Sequence, residues 1–295
     1  MAVPKILITG SNGQLGRELM DYFGSCADVT GIDLEDLDIL NPEEVRRTFR
    51  SIAPDVVLHT AAYTDVDRAE SEPDRAMAVN ADGSRNVALA SREVGARLVY
   101  YSTDYVFNGK KKKSYVEDDR PDPINVYGRS KLEGERLVSE IADNSVIMRI
   151  AWLYGHNGKN FVNTILKVIN EKIEQLVPGE SLEWLRVVDD QTGSPTWSRE
   201  VARQTEAILE HELVGIVHAS AEGQATWYDF AVAIVEACRL PVMVSPCATS
   251  VYPRPAERPF YSVLENARLK ELGINRMADW KDALNEFFAV ENQTI

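Results

Sequence analysis

Tyr127 and Lys131 stand four residues apart in Tyr-Gly-Arg-Ser-Lys, a spacing that puts a phenol and an ammonium on one face of a helix. A phenol can give its proton to a carbonyl oxygen as hydride arrives at the carbon, and a nearby cation favours the phenolate left behind. With an ordinary pKa of about 10, the phenol is a donor near neutrality and its anion is scarce. Thr103 follows the apolar run Leu98-Val-Tyr-Tyr-Ser102. A hydroxyl at the end of a parallel strand faces the ligand crevice and can polarise the same oxygen. Each residue has a plainer alternative: a half-buried aromatic, a solvated helix charge and a strand residue.

The hydride needs a carrier, and the start of the chain is built to hold one. Lys5 to Thr9 is a short β-branched apolar run suited to a strand buried on both faces, followed by Gly10, Gly13 and Gly16 and a helix carrying Leu15, Leu19 and Phe23. Glycines let backbone approach a pyrophosphate, and a helix N-terminus offers free N–H groups and a positive dipole end. The gap between the first two glycines is one residue longer than in the common dinucleotide fingerprint. A second strand, Val29 to Asp33, ends in an acid where a carboxylate can hold a ribose 2′-hydroxyl; its alternative is a strand cap. No Arg or Lys follows Asp33 until Arg46, which favours NADH over NADPH at that corner.

These side chains require a doubly wound scaffold, and the pattern predicts one. A helix opens at Asn41-Pro42 with Val45 and Phe49 inward, followed by a strand at Val56–Thr60, a long helix within Asp74–Gly95 and a strand at Leu98–Ser102. A helix from Asn125 to Ile141 and a strand at Val146–Ile150 complete the βαβ order of a parallel α/β (Rossmann) sheet. Gly10, Asp33, Ala61, Thr103 and Trp152 fall at strand ends, where ligands of such sheets bind. The pattern predicts a dinucleotide-binding domain, 1–155, and a smaller, mainly substrate-binding domain, 156–295. A segment near 185–215 returns to the first domain, with Leu185–Val188 as the candidate extra strand.

Composition narrows the function class. The 295 residues carry 46 acidic and 32 basic side chains, a net charge of −14, which argues against nucleic-acid and anionic-membrane partners. Hydrophobic residues at 44% and charged residues at 26% form an ordinary globular balance. Three cysteines and four scattered histidines have neither disulfide-framework nor zinc-site spacing, so no metal is expected from them. Without an apolar run of membrane-spanning length or a signal-peptide pattern, the cytoplasm is the expected location.

The sequence also resembles a known family. Gly10-x-x-Gly13-x-x-Gly16, His59-Thr-Ala-Ala-Tyr-Thr-Asp-Val-Asp-Arg-Ala-Glu70, Asn80, Ser102-Thr-Asp-Tyr-Val-Phe107, Tyr127-x-x-x-Lys131 and Arg149-Ile-Ala-Trp-Leu-Tyr-Gly155 look like the extended short-chain dehydrogenase/reductases. Val188-Asp-Asp-Gln-Thr-Gly-Ser-Pro-Thr196 and Arg258-Pro-Phe-Tyr-Ser262 carry the likeness along nearly the whole chain, toward the branch that reduces dTDP-4-keto sugars. The resemblance implies Thr103, Tyr127 and Lys131 as catalytic residues. It implies a cofactor wall of Gly10, Asn12, Gly13, Gln14, Leu15, Asp33, Asp38, Ile39, Ala61, Ala62 and Tyr63 together with Tyr127 and Lys131. Substrate contacts would come from Thr103, Asp104, Phe107, Trp152 and Arg258. It further implies a dTDP-sugar substrate, NADPH or NADH, and a possible homodimer.

Relatives that eliminate water place Asp-Glu after the Thr; here Thr103-Asp104-Tyr105 lacks that Glu and so lacks the elimination base. Two alternatives remain: an epimerase with the same Tyr/Lys chemistry, and a non-catalytic dinucleotide-binding regulatory subunit resembling the methionine adenosyltransferase β subunit. Lys110–Lys113 reads as a solvated loop, Asp189-Asp190 as a turn organiser, and Trp280, Leu284 and Phe287-Phe288 as core. Glu18 is a candidate, by position alone, for magnesium at a dimer contact.

Overall fold

The computed structural model describes residues 3–174, 185–211 and 213–291. Its centre is a six-stranded parallel sheet. In chain order the first five strands are β1 (Lys5–Thr9), β2 (Asp28–Ile32), β3 (Val56–His59), β4 (Arg97–Thr103) and β5 (Ser145–Ile150). The sixth is the edge strand Gly215–His218, and the order across the sheet is edge strand, β5, β4, β3, β1, β2. Helices cover both faces, so β1 and β4 are buried through almost their whole length, with apolar residues at their centres. On one face Ile8, Leu58 and Val99 pack against Leu15 and Leu19 of helix α1 (Gln14–Phe23) and against Val201 and Ile208 of the helix Ser198–Glu210. On the other face Leu7, Val57 and Leu98 meet Val45 and Phe49 of α2 (Pro42–Ile52) and Val87 of the helix Ser84–Val94. Fully buried side chains such as Leu19 and Phe49 each contribute roughly 1.5 to 3 kcal/mol by leaving water.

The helix starts follow local chemistry. Asn41 accepts a hydrogen bond from the Glu44 amide while Pro42 occupies the first turn, and Asn125 accepts from the Gly128 amide to begin the helix Val126–Ile141. The expected single helix within 74–95 is instead Pro73–Met77, a π-helical turn at Ala78–Gly83, and Ser84–Val94. The widened turn contains Asn80, a buried side chain that accepts from the Tyr63 amide and donates to the Tyr63 carbonyl. It also donates to Ser130, so a polar tie between three segments replaces a regular helical turn.

Leu185–Val188 does not join the large sheet. It pairs in parallel with Val244–Cys247, and the strand that returns to the large sheet is Gly215–His218. The burial pattern of Leu185–Val188 alternates, which suits a two-stranded ribbon wet on one side rather than a strand covered on both. Asp189 and Asp190 tie segments distant in sequence instead of closing a local turn: Asp189 accepts from the Thr226 hydroxyl, and Asp190 from the Thr249 amide and hydroxyl. Trp280, Leu284, Phe287 and Phe288 are buried in a second apolar cluster with Phe230 and Tyr154, as their spacing requires.

Candidate active site

A cleft of about 980 Å³ runs across the C-terminal ends of the strands. Its first wall lies where the chain order reverses, between β1 and β3. Gly10 has φ +70°, and a Cβ there would lie 2.7 Å from Ala61 Cα; at Gly16 a Cβ would lie 2.2 Å from the Gly10 carbonyl oxygen. Only glycine permits both the left-handed turn and this approach of helix to strand. Helix α1 begins at Gly13 with no side-chain cap and no acidic residue in its first turn, leaving its orphan amides for an anion. The donor set and the glycine cradle fit a dinucleotide pyrophosphate.

Gly10, Asn12, Gly13, Gln14, Leu15, Asp33, Asp38, Ile39, Ala61, Ala62 and Tyr63 all line this cleft, as do Tyr127 and Lys131. Asp33 is both cap and wall: Oδ2 accepts from the Asn12 amide at 2.8 Å and Oδ1 from the Leu34 amide at 2.8 Å. Arg17 Nε donates to the Asn12 carbonyl at 2.9 Å, so both backbone polar groups of Asn12 in the glycine loop are held by side chains. This guanidinium precedes Asp33 in sequence, and the fold brings it back to the Asp33 corner.

Another part of the cleft brings Lys131, Tyr127 and Thr103 together. Lys131 is 2% exposed; its Nζ donates to the Tyr101 carbonyl at 2.7 Å and sits 4.1 Å above the Tyr100 ring. Burial draws this ammonium down to about 7, while Glu135, one turn further on, pulls it up. Tyr127 is half-buried and meets Tyr105 edge-on, at 5.7 Å between ring centroids. Burial pushes its phenol up to about 12, and contact with the Thr103 hydroxyl pulls the other way. The protonated phenol is therefore the resting form, as a proton donor requires. Thr103 Oγ1 donates to Asp104 Oδ1 at 3.0 Å and accepts from the Tyr105 amide at 3.2 Å.

Of the expected substrate contacts, Thr103, Asp104 and Trp152 line the cleft. Trp152 has φ +45°, a left-handed conformation that costs a non-glycine residue about 1 to 3 kcal/mol, and its ring stacks on Trp227 at 3.5 Å between centroids. Phe107 is not brought to the cleft. It is fully buried, stacked on Tyr115 and covered by Arg149, because its position after the short turn Asp104–Val106 directs it into the core. Arg258 is likewise outside the lining residues and is paired with Asp67. Glu18 is buried and already engaged by Ser198 and Arg199 within the chain. No metal-binding cluster of acidic, His or Cys side chains occurs among the described residues.

Asn80, Trp227 and Lys159 were not among the expected site residues. Trp227 and Lys159 line the cleft, and Asn80 holds Tyr63. A polar residue inside an apolar helical pattern was the available signal for Asn80; Trp227 and Lys159 had none, since their approach depends on tertiary folding.

Residues 4–292 match the model of the RmlD substrate binding domain family. The chain is 40% identical to the spore coat polysaccharide biosynthesis protein SpsK of Bacillus subtilis over 96% of each chain. It is 38% identical to the dTDP-4-dehydrorhamnose reductase of Burkholderia thailandensis, covering 95% of this chain and 96% of the relative. A crystal structure of dTDP-4-dehydrorhamnose reductase from Bacillus anthracis in complex with NADP superposes with a TM-score of 0.92 at 39% identity, over 98% of this chain and 99% of the other.

Proposed function

The chain belongs to the RmlD substrate binding domain family, and from that membership we propose that it reduces the C4 keto group of a dTDP-4-dehydro-6-deoxyhexose with NADPH or NADH. The substrate assigned is dTDP-4-dehydrorhamnose, giving dTDP-L-rhamnose. The observation that carries the reading is the convergence of Thr103, Tyr127 and Lys131 on one cleft wall, opposite the uncapped start of α1.

A bound reduced nicotinamide supplies the hydride. Tyr127 holds the proton on Oη and releases it to the sugar oxygen as that oxygen gains charge. Lys131 has one donor direction fixed by the Tyr101 carbonyl, which leaves its other N–H bonds for a cofactor ribose hydroxyl and its charge for the phenolate. Thr103 orients the carbonyl, and Trp152 supplies a flat wall for the sugar nucleotide. Residues 1–155 serve mainly the dinucleotide and 156–295 mainly the substrate.

Location in the cytoplasm and assembly as a homodimer belong to the same reading; cell fractionation and sedimentation of the purified protein test them. Among the described residues no helix is long and apolar enough to cross a membrane. The catalytic test is oxidation of NADPH by purified protein with the 4-keto sugar nucleotide and with other keto-sugar nucleotides. Preference for the dTDP-4-keto-6-deoxy sugar supports the assignment; preference for another sugar nucleotide overturns its substrate.

A further inference from the structure

Thr103 has one hydroxyl hydrogen, and Asp104 competes for it. The hydroxyl donates to Asp104 Oδ1 at 3.0 Å while accepting from the Tyr105 amide at 3.2 Å. In that arrangement its remaining lone pair faces the cleft and the Tyr127 hydroxyl, and it has no hydrogen left with which to polarise a carbonyl oxygen. Asp104 is 3% exposed, and its Oδ2 makes no hydrogen bond among the described residues. An ionised carboxyl so placed would be a buried charge with little beyond the Thr103 and Ser262 hydroxyls and nearby backbone to compensate it; a protonated one avoids that cost.

We propose that Asp104 works as a neutral acid: its proton is donated to Thr103 Oγ1, which turns the Thr103 hydrogen toward the substrate oxygen. Asp104 is thus a positioning residue acting through Thr103. The proposal rests on the keto-reductase reading above. In this state Thr103 accepts from Asp104 and from the Tyr105 amide and gives its only hydrogen to the substrate. No bond beyond the hydrogen bonds changes, and the proton delivered to the sugar still comes from Tyr127.

The groups facing Asp104 are few. Tyr127 approaches from the helix Val126–Ile141 and Ser262 from the C-terminal part of the chain; Tyr105 lies on its own turn, with Arg258 beyond it. Burial pushes Asp104 up to about 6, and the Ser262 and Thr103 hydroxyls temper that rise. Closing the cleft over a ligand removes more water and favours the neutral form further.

The test compares the pH dependence of kcat/KM for the parent and Asp104→Asn, an isostere that cannot ionise. The proposal predicts that the variant-to-parent ratio rises at least about tenfold between about pH 5.5 and about pH 8, because only the parent loses its outward Thr103 hydrogen. Taking a ratio cancels the titration of Lys131, which both proteins share. In a Thr103→Val background the same substitution should leave the ratio flat, by single-turnover oxidation of NADPH. A flat ratio with Thr103 present, or a rising one without it, overturns the proposal. If the parent reduces no keto-sugar nucleotide, the functional reading fails, and thermal unfolding decides the proton question separately. The Tm gain of Asp104→Asn should then grow from about pH 4 to about pH 8, and a constant gain refutes the neutral acid.

Discussion

The two walls of the cleft are made in different ways. The glycine-loop wall is a backbone construction: Gly10 and Gly16 set the approach of strand and helix, and α1 turns bare amides toward the ligand. The facing wall is a construction of side chains, in which Lys131, Tyr127, Thr103 and Asp104 are held by one another and by β4. On the first wall an added Cβ at Gly10 or Gly16 would clash with backbone, whereas on the second the proposed chemistry depends on where protons sit. Binding and turnover should therefore separate when each is altered.

The largest separation is expected from Tyr127→Phe, which deletes the donated proton and little else. Turnover should fall about 10² to 10⁴-fold while cofactor affinity stays within about twofold. Steady-state rates and a fluorescence titration check this, and turnover within about threefold of the parent would remove Tyr127 from the chemistry.

Gly10→Ala strikes the other wall. A Cβ at φ +70° would collide with the Ala61 backbone, so we expect a loss of about 2 to 4 kcal/mol in stability and weaker dinucleotide binding. Denaturant unfolding with and without cofactor measures both. An unchanged midpoint would mean that the loop yields more easily than its contacts indicate.

Lys131 is proposed to join the two walls by serving the phenol and the ribose together. Its pKa is depressed from 10.5 to about 7 by burial, so the charged form exists below that value and is lost as pH rises through it. A bound anionic dinucleotide favours the charged form, and affinity should therefore fall as pH rises through about 7 in the parent. Lys131→Met should bind more weakly at pH 6 by about 1 to 3 kcal/mol and lack that pH step. Calorimetry at several pH values would show it; a step that survives in the variant belongs to another group.

The smallest effect concerns cofactor choice. Asp33→Ala removes a carboxylate from the corner where Arg17 also sits, so the NADPH to NADH ratio of kcat/KM should rise about 5 to 30-fold. A ratio that does not move would show that Asp33 serves only Asn12 and Leu34.

The same contrast governs what could be read from the sequence. The backbone wall was legible because its rules are local: strand, three spaced glycines, amphipathic helix, acid at the next strand end. Tyr127 and Lys131 were legible through helical spacing. Phe107 and Arg258 lie outside the cleft lining, and sequence could not show it, because a side chain's direction after a short turn, or its partner across 191 positions, is fixed by packing and not by local pattern. The π-turn at Ala78–Gly83 escaped because the tie from Asn80 to Tyr63 overrides helical periodicity. Leu185–Val188 has strand chemistry, but sequence does not say which sheet it joins.

The most direct test of the central claim is to incubate the purified protein with NADPH and dTDP-4-dehydrorhamnose and to identify the sugar product. One NADPH should be oxidised per dTDP-L-rhamnose formed, at a rate about 10² to 10⁴-fold lower in Tyr127→Phe. Tight NADPH binding with no sugar reduced would contradict it and leave a dinucleotide-binding protein that serves another partner.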